Sequence, residues 1–111
     1  MKEIDILWLV KAEAEAHGAY LWRNNTGGLY DKNGRFIRFG LCLGSSDLIG
    51  IYQGRFLAIE VKAAKGKISP EQEKFLGWIR EKGGIAFVAR SVDDVKKYLT
   101  MDFDTGINMI N

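Results

Sequence analysis

The chain has almost no sulfur or imidazole chemistry to draw on. Its 111 residues include one cysteine, Cys42, and one histidine, His17. A single cysteine excludes an internal disulfide and fits a reducing cytoplasm. One cysteine with one histidine also excludes a zinc cage and a cysteine–histidine nucleophile pair of usual spacing. Cys42 lies in the apolar run Leu41-Cys42-Leu43 and is expected to be a small core residue. His17 reads as the end of a helix before Gly18, where a cation is favourable. No stretch approaches the roughly 20 apolar residues of a membrane span, so no membrane partner is expected. The opening Met1-Lys2-Glu3 lacks the apolar run and cleavage site of a secretory leader. Charge of one sign is scarce too: the formal net charge is +2, too small for a strong overall field. A local basic surface from Arg23, Arg35, Arg38, Lys62, Lys65 and Lys67 competes with the plainer reading that each is a solvated charge.

What remains is ordinary for a globular domain, 47% hydrophobic and 27% charged. The length predicts one domain, small for an enzyme, for which a second copy would add buried surface. The most informative stretch runs from Ser46 to Lys62 and reads as two apolar strands joined at Gln53-Gly54. With those two residues in the turn, Tyr52 faces Arg55, Ile51 faces Phe56, Ile49 faces Ala58 and Asp47 faces Glu60. Directly opposed residues share a side, with Cβ atoms roughly 4.5–5.5 Å apart. Lys62, two residues past Glu60, shares that side. Two carboxylates and an ammonium are thus expected to converge at the end of an apolar ribbon. Opposed like charges destabilise a sheet unless something sits between them, and hard oxygen ligands suit magnesium or manganese. A three-residue loop would instead shift the register and separate the carboxylates.

Residues 3–17 read as a helix with Ile4, Leu7, Val10 and Ala14 on one stripe. Glu3 lies on that stripe, either as an acid favourable in the first turn or as a group facing the site. Ala19–Arg23 reads as a short strand and Asn24–Gly28 as a loop. Asn33-Gly34 signals a turn into the strand Arg35–Phe39. Arg23, Asn24 with its polar loop, Arg35 and Arg38 are candidates to contact phosphate, against surface solvation. Tyr20, Trp22, Tyr30, Phe36 and Phe39 are expected in the core in preference to forming base-stacking platforms. After a basic loop with Lys65 and Lys67, the only proline, Pro70, opens a helix behind the N-cap Ser69, with Gln72 completing a capping box. Phe75, Leu76, Trp78 and Ile79 form its apolar stripe, and Gly83-Gly84 ends it. Ile85–Ala89 reads as an internal strand and Ser91 as the cap of a last helix through about Leu99. The strand of Glu60, the helix after Ser69 and the strand at Ile85 form a βαβ unit with parallel strands. The expected fold is therefore α/β, a mixed sheet with helices packed on it.

Gly44-Ser45-Ser46-Asp47-Leu48-Ile49-Gly50 followed by Phe56-Leu57-Ala58-Ile59-Glu60-Val61-Lys62 carries an acid and then E-x-K on hairpin strands. Lys67-Ile68-Ser69-Pro70-Glu71-Gln72, the run from Gly83 to Val95, Trp22-Arg23-Asn24-Asn25-Thr26-Gly27 and the early acid Glu3 complete the pattern. In this order the chain resembles the PD-(D/E)XK nuclease superfamily, with its restriction-endonuclease-like core, and more narrowly the stand-alone VRR-Nuc domains of bacteriophages and their hosts. The likeness covers residues 3 to about 99. It implies one nuclease domain over 1–99, with 100–111 a tail available for docking or dimer contact. It implies magnesium, replaceable by manganese, held by Asp47, Glu60 and the main-chain carbonyl of Val61, with Glu3 completing the shell directly or through water. Lys62 would orient or deprotonate the attacking water, and Gln72 would hold the metal shell or water. One amide in one conformation is not expected to serve both the capping box and the site. Ser46 stands where the superfamily name has proline and joins Arg23, Asn24, Arg35, Arg38, Lys65 and Lys67 as an expected DNA contact. The resemblance further implies a homodimer cutting branched DNA, a Holliday junction or flap, in a bacterial or phage-infected cytoplasm. The alternative is a DNA-binding module of the same fold that does not cut.

Overall fold

The computed structural model describes residues 1–25, 27–102 and 107–108. The central sheet has four strands in the order β1-β4-β5-β6, where β1 is Tyr20–Arg23, β4 Leu48–Tyr52, β5 Arg55–Val61 and β6 Ile85–Ala89. β1/β4 and β4/β5 are antiparallel and β5/β6 is parallel. The parallel pair is connected through helix α2, Pro70–Glu81. Helix α1, Glu3–Ala16, and helix α3, Val92–Leu99, complete the core.

Alternation along the strands assigns each side chain to a layer. Leu48, Tyr52, Leu57, Ile59, Val61, Ile85, Phe87 and Ala89 are buried with Ile6, Leu7, Val10 and Ala14 of α1 and Val95 and Leu99 of α3. The opposite parity, Ile49, Ala58 and Ala86, packs on Phe75 and Leu76 of α2. Each fully buried Leu or Ile contributes roughly 1.5–3 kcal/mol, so these two layers hold the sheet rigid. The Tyr52 hydroxyl donates to Leu99 O at 2.7 Å, tying α3 to the sheet.

Several expectations change. β6 is an edge strand, not an internal one. It is continuously apolar because helices cover both its faces, and Arg80 Nε donates to Ala86 O at 2.8 Å. α1 buries Ile6 and leaves Ile4 exposed. Trp78 is exposed, so α2 buries a narrower stripe of Phe75 and Leu76 with Ile79 partly covered. Ser91 makes no side-chain cap; Asp94 Oδ2 instead accepts the Arg90 N–H at 2.8 Å. Gly27 and Gly28, read as loop, belong to strand β2, Gly27–Tyr30, which pairs with β3, Phe36–Phe39, in a separate two-stranded ribbon. Tyr20, Trp22, Tyr30, Phe36 and Phe39 are all exposed, not core. On the α2 side Tyr20 and Trp22 lie outside the buried cluster beneath that helix, and every residue of β2 and β3 is exposed. Cys42, in the return from β3, is exposed as well.

The expected tail over 100–111 falls largely outside the described residues. Its described backbone forms β7, Met101–Asp102, paired antiparallel with β8, Ile107–Asn108. No helix among the described residues is long and apolar enough to cross a membrane.

Candidate active site

The β4–β5 hairpin turns at Gln53 and Gly54, both at positive φ (51° and 76°), the backbone of a tight two-residue turn matched to strand twist. Leu48 therefore pairs with Ile59, Ile49 with Ala58 and Tyr52 with Arg55, the register expected from the sequence. One step beyond the paired residues, Asp47 comes opposite Glu60, and Asp47 Oδ2 accepts the Val61 N–H at 2.9 Å. Both acids have the parity of Ala58 and so lie on the side of the sheet that α2 covers.

Glu60 is only 2% exposed. Its Oε1 accepts from Gln72 Nε2 at 3.0 Å, and Lys62 Nζ stands 3.9 Å from the same oxygen. Its Oε2 is buried without a hydrogen-bond partner. Burial above all, then the neighbouring Asp47 carboxyl and, more weakly, Glu3, push the Glu60 carboxyl up to about 9; Lys62 opposes this incompletely. At 3.9 Å the Lys62 contact is at the outer limit of an ion pair and does not offset the loss of water. Asp47 brings only lone pairs toward Glu60, so a proton or a cation between them would relieve both.

The Gln72 amide bonds both the helix cap and Glu60 in one conformation. Its Oε1 accepts the Ser69 N–H at 2.8 Å, while Ser69 Oγ accepts the Gln72 N–H at 3.1 Å. The other end of the amide is thereby aimed at Glu60. An amide has a donor end and an acceptor end, so cap and site need not compete.

Two residues absent from the expected site set, or present for another reason, hold its frame. Asn24 donates its N–H to Asp47 O at 2.7 Å and its Nδ2 to Ser45 Oγ and Ser46 O at 2.8 and 3.0 Å. Its side chain is thus engaged with the segment that carries Asp47. Arg90 Nη1 donates to Ala63 O and Gly66 O at 2.7 and 2.6 Å, with Ala64 O at 3.4 Å. It gathers the loop that follows Lys62, whose own N–H donates to Ala89 O at 3.1 Å. Arg90 lies in the run from Gly83 to Val95 that carries the family likeness, but only its place directly after the parallel partner of β5 hints at this role.

A family model described as the VRR-NUC domain matches residues 15–93, well over half of the chain. The chain belongs to the VRR-NUC domain family. It is accordingly a nuclease acting on DNA, and its mixed sheet with helices is the PD-(D/E)XK-like arrangement. No curated protein matches it. The matched span contains Asp47, Glu60, Lys62 and Gln72 but not Glu3.

In this VRR-NUC domain Glu3 is exposed at the start of α1, where it lines a cleft of about 260 Å³ with Ile4, Leu7, Arg23 and Asp47. Among the described residues no group of three or more His, Cys, Asp or Glu side chains is gathered to hold an ion. Two carboxyl groups, those of Asp47 and Glu60, do stand together there. Ser46, expected to touch DNA, is fully buried and cannot do so as placed. It precedes β4 beneath the Asn24 amide, where packing outweighs contact with solvent. Arg23 is exposed and lines the cleft, and Lys65 and Lys67 are exposed in the loop that follows Lys62. Arg35 and Arg38 lie on the β2–β3 ribbon, Arg35 paired with Asp31 at 3.0 Å and Arg38 over the Phe36 ring at 5.4 Å.

Proposed function

We propose that this VRR-NUC domain is a metal-dependent endodeoxyribonuclease that hydrolyses phosphodiester bonds in structured DNA, a Holliday junction or flap, as a homodimer in the cytoplasm. The observation that carries the metal dependence is the buried Glu60 Oε2, without a partner and facing the Asp47 carboxylate. The donor set fits: two carboxylates and a main-chain carbonyl are hard oxygen ligands of the kind magnesium and manganese take. Asp47, Glu60 and the Val61 carbonyl would hold the ion, with Glu3 at its outer edge. Such an ion would supply positive charge beside a phosphate and make a bound water easier to deprotonate than bulk water.

The chain's own residues do the rest. Gln72 fixes Glu60 Oε1, which keeps Oε2 turned to the site. Lys62, whose Nζ stands 3.9 Å from Glu60 Oε1, would orient the attacking water and set positive charge beside the phosphate. The water oxygen bonds to phosphorus and its proton passes to solvent, the ester P–O bond breaks, and the departing sugar oxygen takes a proton from solvent. Arg23, Lys65 and Lys67 neutralise flanking phosphates, which gives binding a strong salt dependence. A two-fold dimer would present two such centres to the two strands of a junction.

The test is cleavage of synthetic duplex, flap and four-way DNA with and without magnesium or manganese. Cleavage should require the ion and favour branched DNA. Asp47→Ala should abolish cleavage while DNA affinity stays within about twofold, a difference under roughly 0.5 kcal/mol. Ion-independent binding with no cleavage of any DNA would replace this reading with a non-cutting binder.

A further inference from the structure

β1 and β4 are sheet neighbours, yet the chain between them makes a long excursion built around the β2–β3 ribbon. Both ends of that excursion are anchored at the candidate site, because Asn24 is hydrogen-bonded to Ser45, Ser46 and Asp47. The ribbon's far turn is organised by Asp31. Its Oδ1 accepts the N–H groups of Asn33 and Arg35, each at 2.9 Å, and its Oδ2 accepts from Arg35 Nε.

The pairs Tyr30–Phe36 and Gly28–Arg38 place Tyr30, Phe36 and Arg38 on one face of this ribbon. The Phe36 ring lies across Gly28 so closely that a Cβ there would meet it at 2.2 Å. Tyr30 meets Phe36 edge-on at 5.2 Å, and the Arg38 guanidinium sits 5.4 Å above the Phe36 ring. Tyr30 is nonetheless 71% exposed and Phe36 50%. Two aromatic rings and a guanidinium are thus assembled in advance, and water is their only cover among the described residues.

Charge chooses between partners. The ribbon carries Lys32, Arg35 and Arg38 against Asp31 alone. A two-fold contact between copies would set this positive excess against itself, whereas a polyanion complements it. From Asn24 to Tyr30 is six residues, at most about 20 Å of chain, a few nucleotides along a bound strand.

We infer that Tyr30, Phe36 and Arg38 form a stacking platform for unpaired bases of DNA whose phosphodiester lies at the Asp47–Glu60 site. The inference rests on the nuclease reading for the location of that phosphodiester. Base stacking on a side chain is lost on alanine substitution with an effect of about five- to a hundredfold in affinity.

The probe is a DNA flap with 2-aminopurine at its unpaired positions, compared with the continuous duplex of the same sequence. Both are titrated in EDTA, so that the platform is read independently of cleavage. The wild type should quench the flap's fluorescence. Tyr30→Ala with Phe36→Ala should abolish quenching and weaken flap binding at least about fivefold, with duplex affinity changed less than about twofold. Phe36→Trp should retain quenching, and circular dichroism should show both variants folded, since these rings lie outside the two buried layers. Unchanged flap binding, or equal weakening of flap and duplex, overturns the platform. A loss of dimer mass in sedimentation with quenching unaffected would make this face an interface between copies instead. If the wild type quenches the flap but cleaves nothing with any ion, the nuclease reading fails and the platform stands.

Discussion

Replacing Glu60 by glutamine should make the ion-free protein more stable at neutral pH, although it alters a residue buried at the centre of the fold. Glu60 titrates near 9 in the folded chain against 4.5 when unfolded. Between these values the folded state holds a proton that the unfolded state has released, so stability falls as pH rises from about 4.5 to 9. At pH 7 the accumulated penalty is about 3 kcal/mol, at 1.36 kcal/mol per unit. Glutamine has no charge to desolvate, can still accept from Gln72 and can donate toward Asp47. The gain corresponds to roughly 10–20 °C in Tm for a domain of this size. Thermal or urea melts in EDTA from pH 5 to 9 measure it. The two proteins should converge near pH 5 and diverge upward in pH, with the variant the more stable. Parallel curves, or a less stable variant at pH 8, would refute the reasoning.

Gln72→Ala removes the Ser69 N–H partner and the donor to Glu60 together. It should cost about 1–3 kcal/mol and lower cleavage, read by melts and by single-turnover rates on one flap substrate. Asn24→Ala leaves the Ser45–Ser46 segment without its amide donor. A loss of about 1–2 kcal/mol is expected, with a drop in metal-dependent rate at unchanged DNA affinity. Arg90→Ala should speed amide exchange in residues 63–67 by NMR while costing only about 1 kcal/mol, because the guanidinium is exposed.

The hairpin was legible because its information is local. Two apolar runs joined by a Gln53-Gly54 turn fix the register without knowing the rest of the fold, and the register alone brings Asp47 opposite Glu60. The Ser69–Gln72 capping box was legible for the same reason. The exposed aromatics were not. Tyr20, Trp22, Tyr30, Phe36 and Phe39 look like core residues in any short window; whether a second layer covers them depends on the extent of α2 and on the departure of β2–β3 from the sheet. Gly27 and Gly28 read as loop because glycine disfavours strands, yet at Gly28 it is the missing Cβ that admits a ring. Arg90 and the internal role of Asn24 depend on acceptors more than 20 residues away, which no spacing rule reports. Ser46 adjoins Asp47 in sequence, yet the segment before β4 is packed so that Ser45 and Ser46 are both buried, which no local pattern reports.

Metal-dependent cleavage by this domain requires Asp47 and Glu60 to form one cation site. Calorimetric titration of manganese into the DNA-free protein at pH 7.5 tests this most directly, beside Asp47→Asn and Glu60→Gln. Saturable binding by the wild type, weakened at least about tenfold by either substitution, is the predicted result. Equal manganese affinity in all three proteins, or none in the wild type, would contradict it.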